Sequence, residues 1–261
     1  MDRQPNIIVI DVGNTRTKLG WFKGDRMVER TTIANADKTS LRTWLNGKSV
    51  DSFALGSVAS PDPDLFARLQ VIAPATLITG TAPSPLRSLY STPLTLGVDR
   101  LANAVAASAM FPQRAVLAVD LGTCITYDLV TADGTYLGGA INPGVRMRSK
   151  AMHAYSARLP IVEVTEATTP WGNSTAEALQ AGVYHGVWGE LQHFLANARH
   201  EAPDAAVVLT GGDTLMFARA CKTGIFAHPF LTLEGLRILH QHGIGHGSAG
   251  PRRASGAGAT G

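Results

Sequence analysis

One short phrase occurs twice in this chain, and it constrains the fold more than any other feature. Residues 7–13 read IIVIDVG and residues 116–122 read VLAVDLG, 109 positions apart. Each is an apolar run, the pattern of a buried strand, that ends in Asp-x-Gly followed by a small polar residue. The match extends onward, with Asp11, Gly13, Asn14 and Thr17 corresponding to Asp120, Gly122, Thr123 and Thr126. A strand that delivers an aspartate and a glycine to its C-terminal end can hold phosphate and cation. Two such strands facing each other would form a nucleotide clamp.

The chain around each copy repeats the same order. In the first half the patterns predict strands at 6–12, 15–22 and 27–33, then a helix through Leu41, Trp44 and Leu45. A strand at Phe53–Ala59 follows, then a helix opened by Asp62-Pro63, which joins an N-cap to a proline at the first helical position. A short strand at 75–79 leads into residues 80–96, rich in Pro, Ser and Thr, a loop long enough to suggest function. A helix then runs through Leu101, Val105 and Met110.

The second half opens likewise, with strands at 115–121, 124–130 and 135–141 and a helix from Val145 to His153. Ser174-Thr-Ala-Glu177 is a capping box opening a helix to about Ala198. A strand at 205–210, Gly211-Gly212-Asp213 and a last helix over Leu233–His240 complete the half. The expectation is an α/β fold of two similar halves, 1–112 and 113–243, with a ligand cleft between them. A disordered, Gly/Ala-rich tail is expected over 244–261.

Composition removes several classes of function. A hydrophobic share of 45% with 16% charged residues indicates a globular protein. The net charge is only +3, with no basic stripe interleaved with aromatics, which excludes a nucleic-acid surface. The N-terminal apolar run IIVI is neither a signal peptide nor a membrane span. Cys124 and Cys221 lie far apart without metal-type spacing, as expected of reduced thiols in a cytoplasmic protein.

Three elements can carry chemistry. In Asp11-Val12-Gly13-Asn14-Thr15-Arg16-Thr17-Lys18, Gly13 admits a phosphate close to the backbone and Lys18 can reach a terminal phosphate. Asp11 accepts but does not donate, so its natural partner is hydrated Mg²⁺ on a nucleotide. A plain tight turn is the alternative, and the second copy argues against it. Gly97-Val98-Asp99-Arg100 offers a carboxylate to take a hydroxyl proton and a cation to hold an anionic substrate. The same residues also suit an ordinary helix start. Thr175, just inside a helix N-terminus, lies where backbone N–H groups favour an anion, although its composition fits any helix start. Gly245-His-Gly-Ser-Ala-Gly250 matches a dinucleotide fingerprint without the preceding strand, and His240, His242 and His246 lack acidic or cysteine partners for a metal.

With these residues in view, the chain resembles the type III pantothenate kinases, also called the Bvg accessory factor family. Asp11–Thr15 is similar to the family's first phosphate motif, Gly97–Arg100 to its G-x-D-R, and Asp120–Thr123 to its D-x-G-T. Gly139–Gly144, Gly172–Thr175 and Gly211–Asp213 fall in the family's order, with Cys124 standing where alanine is usual. The resemblance implies duplicated ribonuclease H-like, actin-like ATPase domains of the acetate and sugar kinase/Hsp70/actin superfamily. It implies ATP-dependent phosphorylation of pantothenate to 4′-phosphopantothenate, the first step of coenzyme A biosynthesis. Asp99 would be the proton acceptor, and Tyr90, Gly97, Val98 and Arg100 would line the substrate site. ATP would meet residues 11–18 and Thr123, with Mg²⁺ reached from Asp11 through water and K⁺ or NH₄⁺ held at Asp120. Thr175 would reach pantothenate across a homodimer interface. A related kinase acting on a sugar or short acid is the alternative, and the missing cysteine-rich zinc motif argues against one sugar-kinase branch. A regulator without turnover is disfavoured because Asp11, Asp99 and Asp120 are all intact.

Overall fold

Along strand β1 (Asn6–Val12), Ile7 and Val9 point to one face and Ile8 and Ile10 to the other, and all four are buried. A strand buried on both faces must lie inside a layered molecule. The computed structural model describes residues 3–35, 37–57, 62–167, 169–218 and 224–247, and it has five layers. β1 pairs antiparallel with β2 (Arg16–Lys23), and β2 with β3 (Arg26–Ala34). On its other side β1 pairs parallel with β4 (Ser52–Ser57), itself parallel to β5 (Ala75–Ile78). Helices α1 (Lys38–Leu45) and α2 (Pro63–Ile72) cover the outer face, Leu41 and Leu69 packing with Ile8, Ile10 and Phe53. The Asp62 carboxylate caps α2 by accepting from the N–H groups of Asp64 and Leu65.

The long loop carries a two-residue strand, β6 (Arg87–Ser88), and a 3₁₀ turn at Pro93–Thr95 before α3 (Val98–Met110). The second sheet is built on β7 (Val116–Leu121), β8 (Cys124–Val130) and β9 (Thr135–Pro143), antiparallel in sequence. Helices α4 (Val145–Ala154) and α5 (Thr175–Glu201) follow, then β10 (Ala206–Thr210), α6 (Thr214–Ala218), β11 (Ile225–Ala227) and α7 (Leu231–Gly247). The strand order β11-β10-β7-β8-β9 repeats β5-β4-β1-β2-β3 of the first sheet, and β6 extends the second sheet beyond β9. The repeated phrase thus marks the central strand of each sheet.

The helices between the sheets cross between halves. α3 packs mainly on β7 and β8 of the second sheet, whereas α7 returns to β1, β4 and β5 of the first. The two helices bury their facing sides in one core with Val9, Ala54, Ala118 and Val208. A Cβ on Gly235 would stand 1.9 Å from the Ala102 carbonyl oxygen, so only glycine lets α7 approach α3 this closely. The other face of the second sheet is covered by α5, through Val183, Val187, Leu191 and Leu195.

Several expectations change. The strand expected at Phe53–Ala59 ends at Ser57, and residues 58–61 lie outside those described. The loop at 80–96 is not wholly irregular, because the free edge of β9 offers backbone partners to β6. β11, only three residues long, was below what alternation can signal. The last helix starts at Leu231 and runs to Gly247, four residues into the stretch expected to be a tail. Glycines disfavour a helix by about 1 kcal/mol each, yet burial of Leu236, Leu239 and His240 carries α7 onward. Cys221, the His246 side chain, Gly250 and the rest of the expected tail from residue 248 onward lie outside the described residues.

Ala for Gly at an interior helix position ordinarily stabilises by about 1 kcal/mol. Gly235→Ala should instead destabilise by about 2 kcal/mol, because the methyl group must push α3 and α7 apart. Urea unfolding measures the sign, and a more stable variant would contradict the close crossing.

Candidate active site

Strand parity aims two carboxylates into the same layer. Asp11 shares the face of Ile7 and Val9, and Asp120 that of Val116 and Ala118, the faces that meet the central helices. Asp99 enters from the first turn of α3. Burial pushes Asp11 up to about 7, with Lys18 opposing and Asp99 and Asp120 adding to the rise. Burial also raises Asp120, opposed by Lys18, while Asp99 adds to the rise and the Asn103 amide lowers it. Asp99 is raised by burial against the N–H and charge of Arg100 and the charge of Lys18. Three aspartates and one lysine therefore share a single field, and the Lys18 Nζ stands 4.0 Å from Asp11 Oδ2.

Local chemistry explains each placement. The Asp99 carboxylate folds back to accept from the Arg100 N–H at 2.8 Å, and a Cβ on Gly97 would lie 2.5 Å from that carboxylate. Glycine at position 97 thus makes room for the aspartate two residues on. One turn further along α3, Asn103 Nδ2 donates to Asp120 Oδ2 at 3.2 Å, and Thr232 of α7 donates to Asn103 Oδ1 at 3.0 Å. Gly211 has φ +96°, and a Cβ there would meet Asp120 Oδ1 and the Leu121 backbone at 2.5 Å. Beside Asp120 on β10, the fully buried hydroxyl of Thr210 has no protein partner.

The two hairpins are similar but not superimposable in register. Val12 pairs with Thr17 and Asp11 with Lys18, whereas Leu121 pairs with Ile125 and Asp120 with Thr126. The first turn is one residue longer, so a lysine faces Asp11 where a threonine faces Asp120. Asn14, Thr15 and Arg16 are exposed in the first turn, and Thr123 in the second. The Gly13 and Thr123 carbonyls accept from Asn35 and from the Gly144 N–H.

Arg100 is only 4% exposed, and its guanidinium donates from Nε and Nη2 to Asp128 Oδ1 at 3.0 and 2.7 Å. The remaining Nη1 donates to the Tyr90 hydroxyl at 3.3 Å. Tyr136 donates to the same Asp128 oxygen at 2.7 Å. Burial raises Asp128, opposed by the Arg100 charge and by these donors.

The cluster therefore unites Asp11, Lys18, Asp99 and Asp120, with Gly97, Val98, Arg100 and Tyr90 at its α3 side. Thr17 and Val12 have the opposite parity and face the outer layer, where the Thr17 hydroxyl donates to Asn35 at 2.9 Å. Thr175 opens α5 in the layer behind the second sheet, exposed, with Ser174 accepting from Glu177 N. Sequence reasoning missed Asn103, Asp128, Tyr136, Thr210 and Thr232. Asn103 stands one helical turn from Asp99, and Asp128 alternates with Thr126, so period alone would have placed both on the site's faces.

The donor set fits cations. Three desolvated carboxylates repel one another, and the unpartnered Thr210 oxygen beside Asp120 adds a neutral oxygen ligand of the kind a hard cation takes. Among the described residues no group of three His, Cys, Asp or Glu is spaced to ligate one ion. No helix among the described residues is long and apolar enough to cross a membrane.

The chain is similar to known proteins of one family along most of its length. The family described as type III pantothenate kinase matches residues 7–197. The type III pantothenate kinase of Bacteroides fragilis is 39% identical over 89% of this chain and 97% of its own length. That of Porphyromonas gingivalis is 35% identical over 91% and 98%. Among solved structures, a conserved Baf family protein from Campylobacter jejuni superposes with a TM-score of 0.61 at 19% identity, covering 91% of this chain and 99% of its own. The activator of 2-hydroxyisocaproyl-CoA dehydratase from Clostridium difficile, with bound ADPNP, gives 0.51 at 12% identity over 94% and 98%. At such identities the structures establish the fold alone, two similar α/β sheets with helices between and outside them.

Between the ordinary value of 3.8 and about 7, folded Asp11 keeps a proton that the unfolded chain has released. Stability attributable to this group therefore falls as pH rises through that window. Asp11→Asn should make the nucleotide-free protein more stable than wild type at about pH 8, by on the order of 2 kcal/mol, with the advantage shrinking toward about pH 5. Urea unfolding at both pH values checks the sign.

Proposed function

The chain belongs to the type III pantothenate kinase family, and from that premise we propose that its three-aspartate cluster is where ATP and pantothenate meet. The protein phosphorylates pantothenate at the expense of ATP, giving 4′-phosphopantothenate in coenzyme A biosynthesis. The observation that carries the assignment of roles is the common field of Asp11, Asp99 and Asp120 around Lys18.

Asp99 is the proton acceptor. Burial raises its affinity for a proton, which suits a base that must take the hydroxyl proton of pantothenate as the oxygen attacks. The new bond joins that oxygen to the γ-phosphorus, the bond from phosphorus to the β–γ bridging oxygen breaks, and ADP leaves with the electron pair. The exposed turn at Gly13–Arg16 and the turn at Thr123 cradle the phosphates from the two sheets, and Lys18 supplies positive charge from the first. Asp11 would hold Mg²⁺ through water, and the ion would supply positive charge against the phosphates. Asp120 and the unpartnered Thr210 hydroxyl would hold a monovalent cation, K⁺ or NH₄⁺. Tyr90, Gly97, Val98 and Arg100 line the pantothenate side.

Thr175 reaches the substrate of a second copy in a homodimer. Support for that assembly comes from an apolar side chain left in solvent four residues before Thr175, Trp171 at 83% exposure. A cytoplasmic location is supported by the free thiol of Cys124.

An ADP-release assay with pantothenate tests the reading. Asp99→Asn should lower kcat by about 10³-fold while nucleotide affinity stays within about threefold. A variant with near wild-type kcat would remove Asp99 from the mechanism. Asp120→Asn should abolish the rate increase given by K⁺ or NH₄⁺, and an unchanged response would detach the monovalent cation from this site.

A further inference from the structure

We propose that Asp128 is a positioning residue for the pantothenate site, fixing the Arg100 guanidinium and through it the Tyr90 hydroxyl. The inference rests on the reading that Arg100 and Tyr90 line that site. Neither the repeated phrase nor the G-x-D-R element contains Asp128, which comes from the middle of β8.

Three donors converge on one oxygen of Asp128: Arg100 Nε, Arg100 Nη2 and the Tyr136 hydroxyl. A guanidinium is a planar fork, so once two of its nitrogens are held the third has a fixed direction. That third nitrogen, Nη1, points at the Tyr90 hydroxyl. Tyr136 does a second job, because its ring stacks on Tyr90 at 6.1 Å and 24°. A Cβ on Gly138, whose φ is +94°, would lie 3.3 Å from the Tyr90 ring, so the bare backbone of β9 forms another wall. Tyr90, the one aromatic that the long loop contributes, is thus held by groups that converge on Asp128.

Stability alone gives a weak reason for such a pair. Arg100 and Asp128 are 4% and 0% exposed, and the desolvation of a buried ion pair commonly cancels its attraction. Apolar residues of equal volume would hold α3 against β8 equally well. A fixed nitrogen beside the base-bearing turn is what only the ion pair supplies. Asp128 also shares a strand face with Thr126, the residue opposite Asp120, so the substrate element and the second phosphate hairpin are registered on the same strand.

The test uses three variants of the full chain, with kcat and both KM values measured alongside Tm. Asp128→Asn should raise the pantothenate KM about tenfold, with the ATP KM unchanged and kcat within about twofold. Tyr136→Phe removes one donor without stranding a charge and should raise the pantothenate KM about threefold. A lowered Tm with an unchanged pantothenate KM would make Asp128 merely structural and overturn the proposal. If Asp128→Asn fails to fold, Tyr136→Phe decides in the same way. Tyr90→Phe tests the underlying reading separately. A raised pantothenate KM there, with none for Asp128→Asn or Tyr136→Phe, sinks the positioning role and spares the site. A raised KM for Asp128→Asn with none for Tyr90→Phe keeps the positioning role, through Arg100 alone, and removes Tyr90 from the site.

Discussion

Two helices meet backbone to backbone at Gly235 and Ala102, and the active layer depends on that contact. Each sheet alone would expose the inward faces of its central strand. Because α3 belongs to the first half of the chain but packs on the second sheet, and α7 does the reverse, neither half closes its core without the other. The crossing fixes how far apart the two sheets stand. It also carries Asp99 and Asn103, one turn apart on α3, to the carboxylate that ends β7. Thr232 on α7 completes the link, so both central helices bear on Asp120.

Burying three aspartates together is costly, and the structure offsets it only in part. Lys18 opposes the rise of each, the Asn103 amide and the charge and N–H of Arg100 contribute further, and Asp11 still sits near 7. A core selected for stability alone would not keep such a group, because desolvated like charges work against folding. In the proposed function, the same unresolved repulsion would draw a cation-bearing nucleotide to the cleft. Conversely, Arg100 and Tyr136 place three donors on Oδ1 of the buried Asp128, whose Oδ2 has no hydrogen bond among the described residues, and Arg100 Nη1 is turned to the Tyr90 hydroxyl. In the proposed function, an under-neutralised region would take phosphate and cations, and the Arg100–Asp128 pair would face the acceptor.

Duplication supplied the frame, and small departures from symmetry supplied the roles. One extra residue in the first turn moves Lys18 opposite Asp11, while Thr126 stands opposite Asp120. The copies thereby acquire different partners although their strands end in the same motif. Sequence alignment pairs Thr17 with Thr126, but register gives them different faces: Thr17 bonds Asn35 in the outer layer, and Thr126 looks into the cleft. A one-residue shift in a strand reverses its facing, so a match by position in the phrase could not predict this.

The sequence by itself determined the two central strands, their aspartates, the capped helices α2 and α5, and the G-x-D-R element, because each is written in local periodicity and cap chemistry. It also carried the family, through six short motifs in order. Tertiary structure alone decided that Lys18, which faces Asp11, also acts by its charge on Asp99 and Asp120, that Arg100 is bound by Asp128 and that Asn103 holds Asp120. It also decided that β6 joins the far sheet and that α7 continues to Gly247. These outcomes rest on strand register and on contacts between residues far apart in the chain. Local patterns specify which face a residue takes, and only the packed layers specify what stands opposite it.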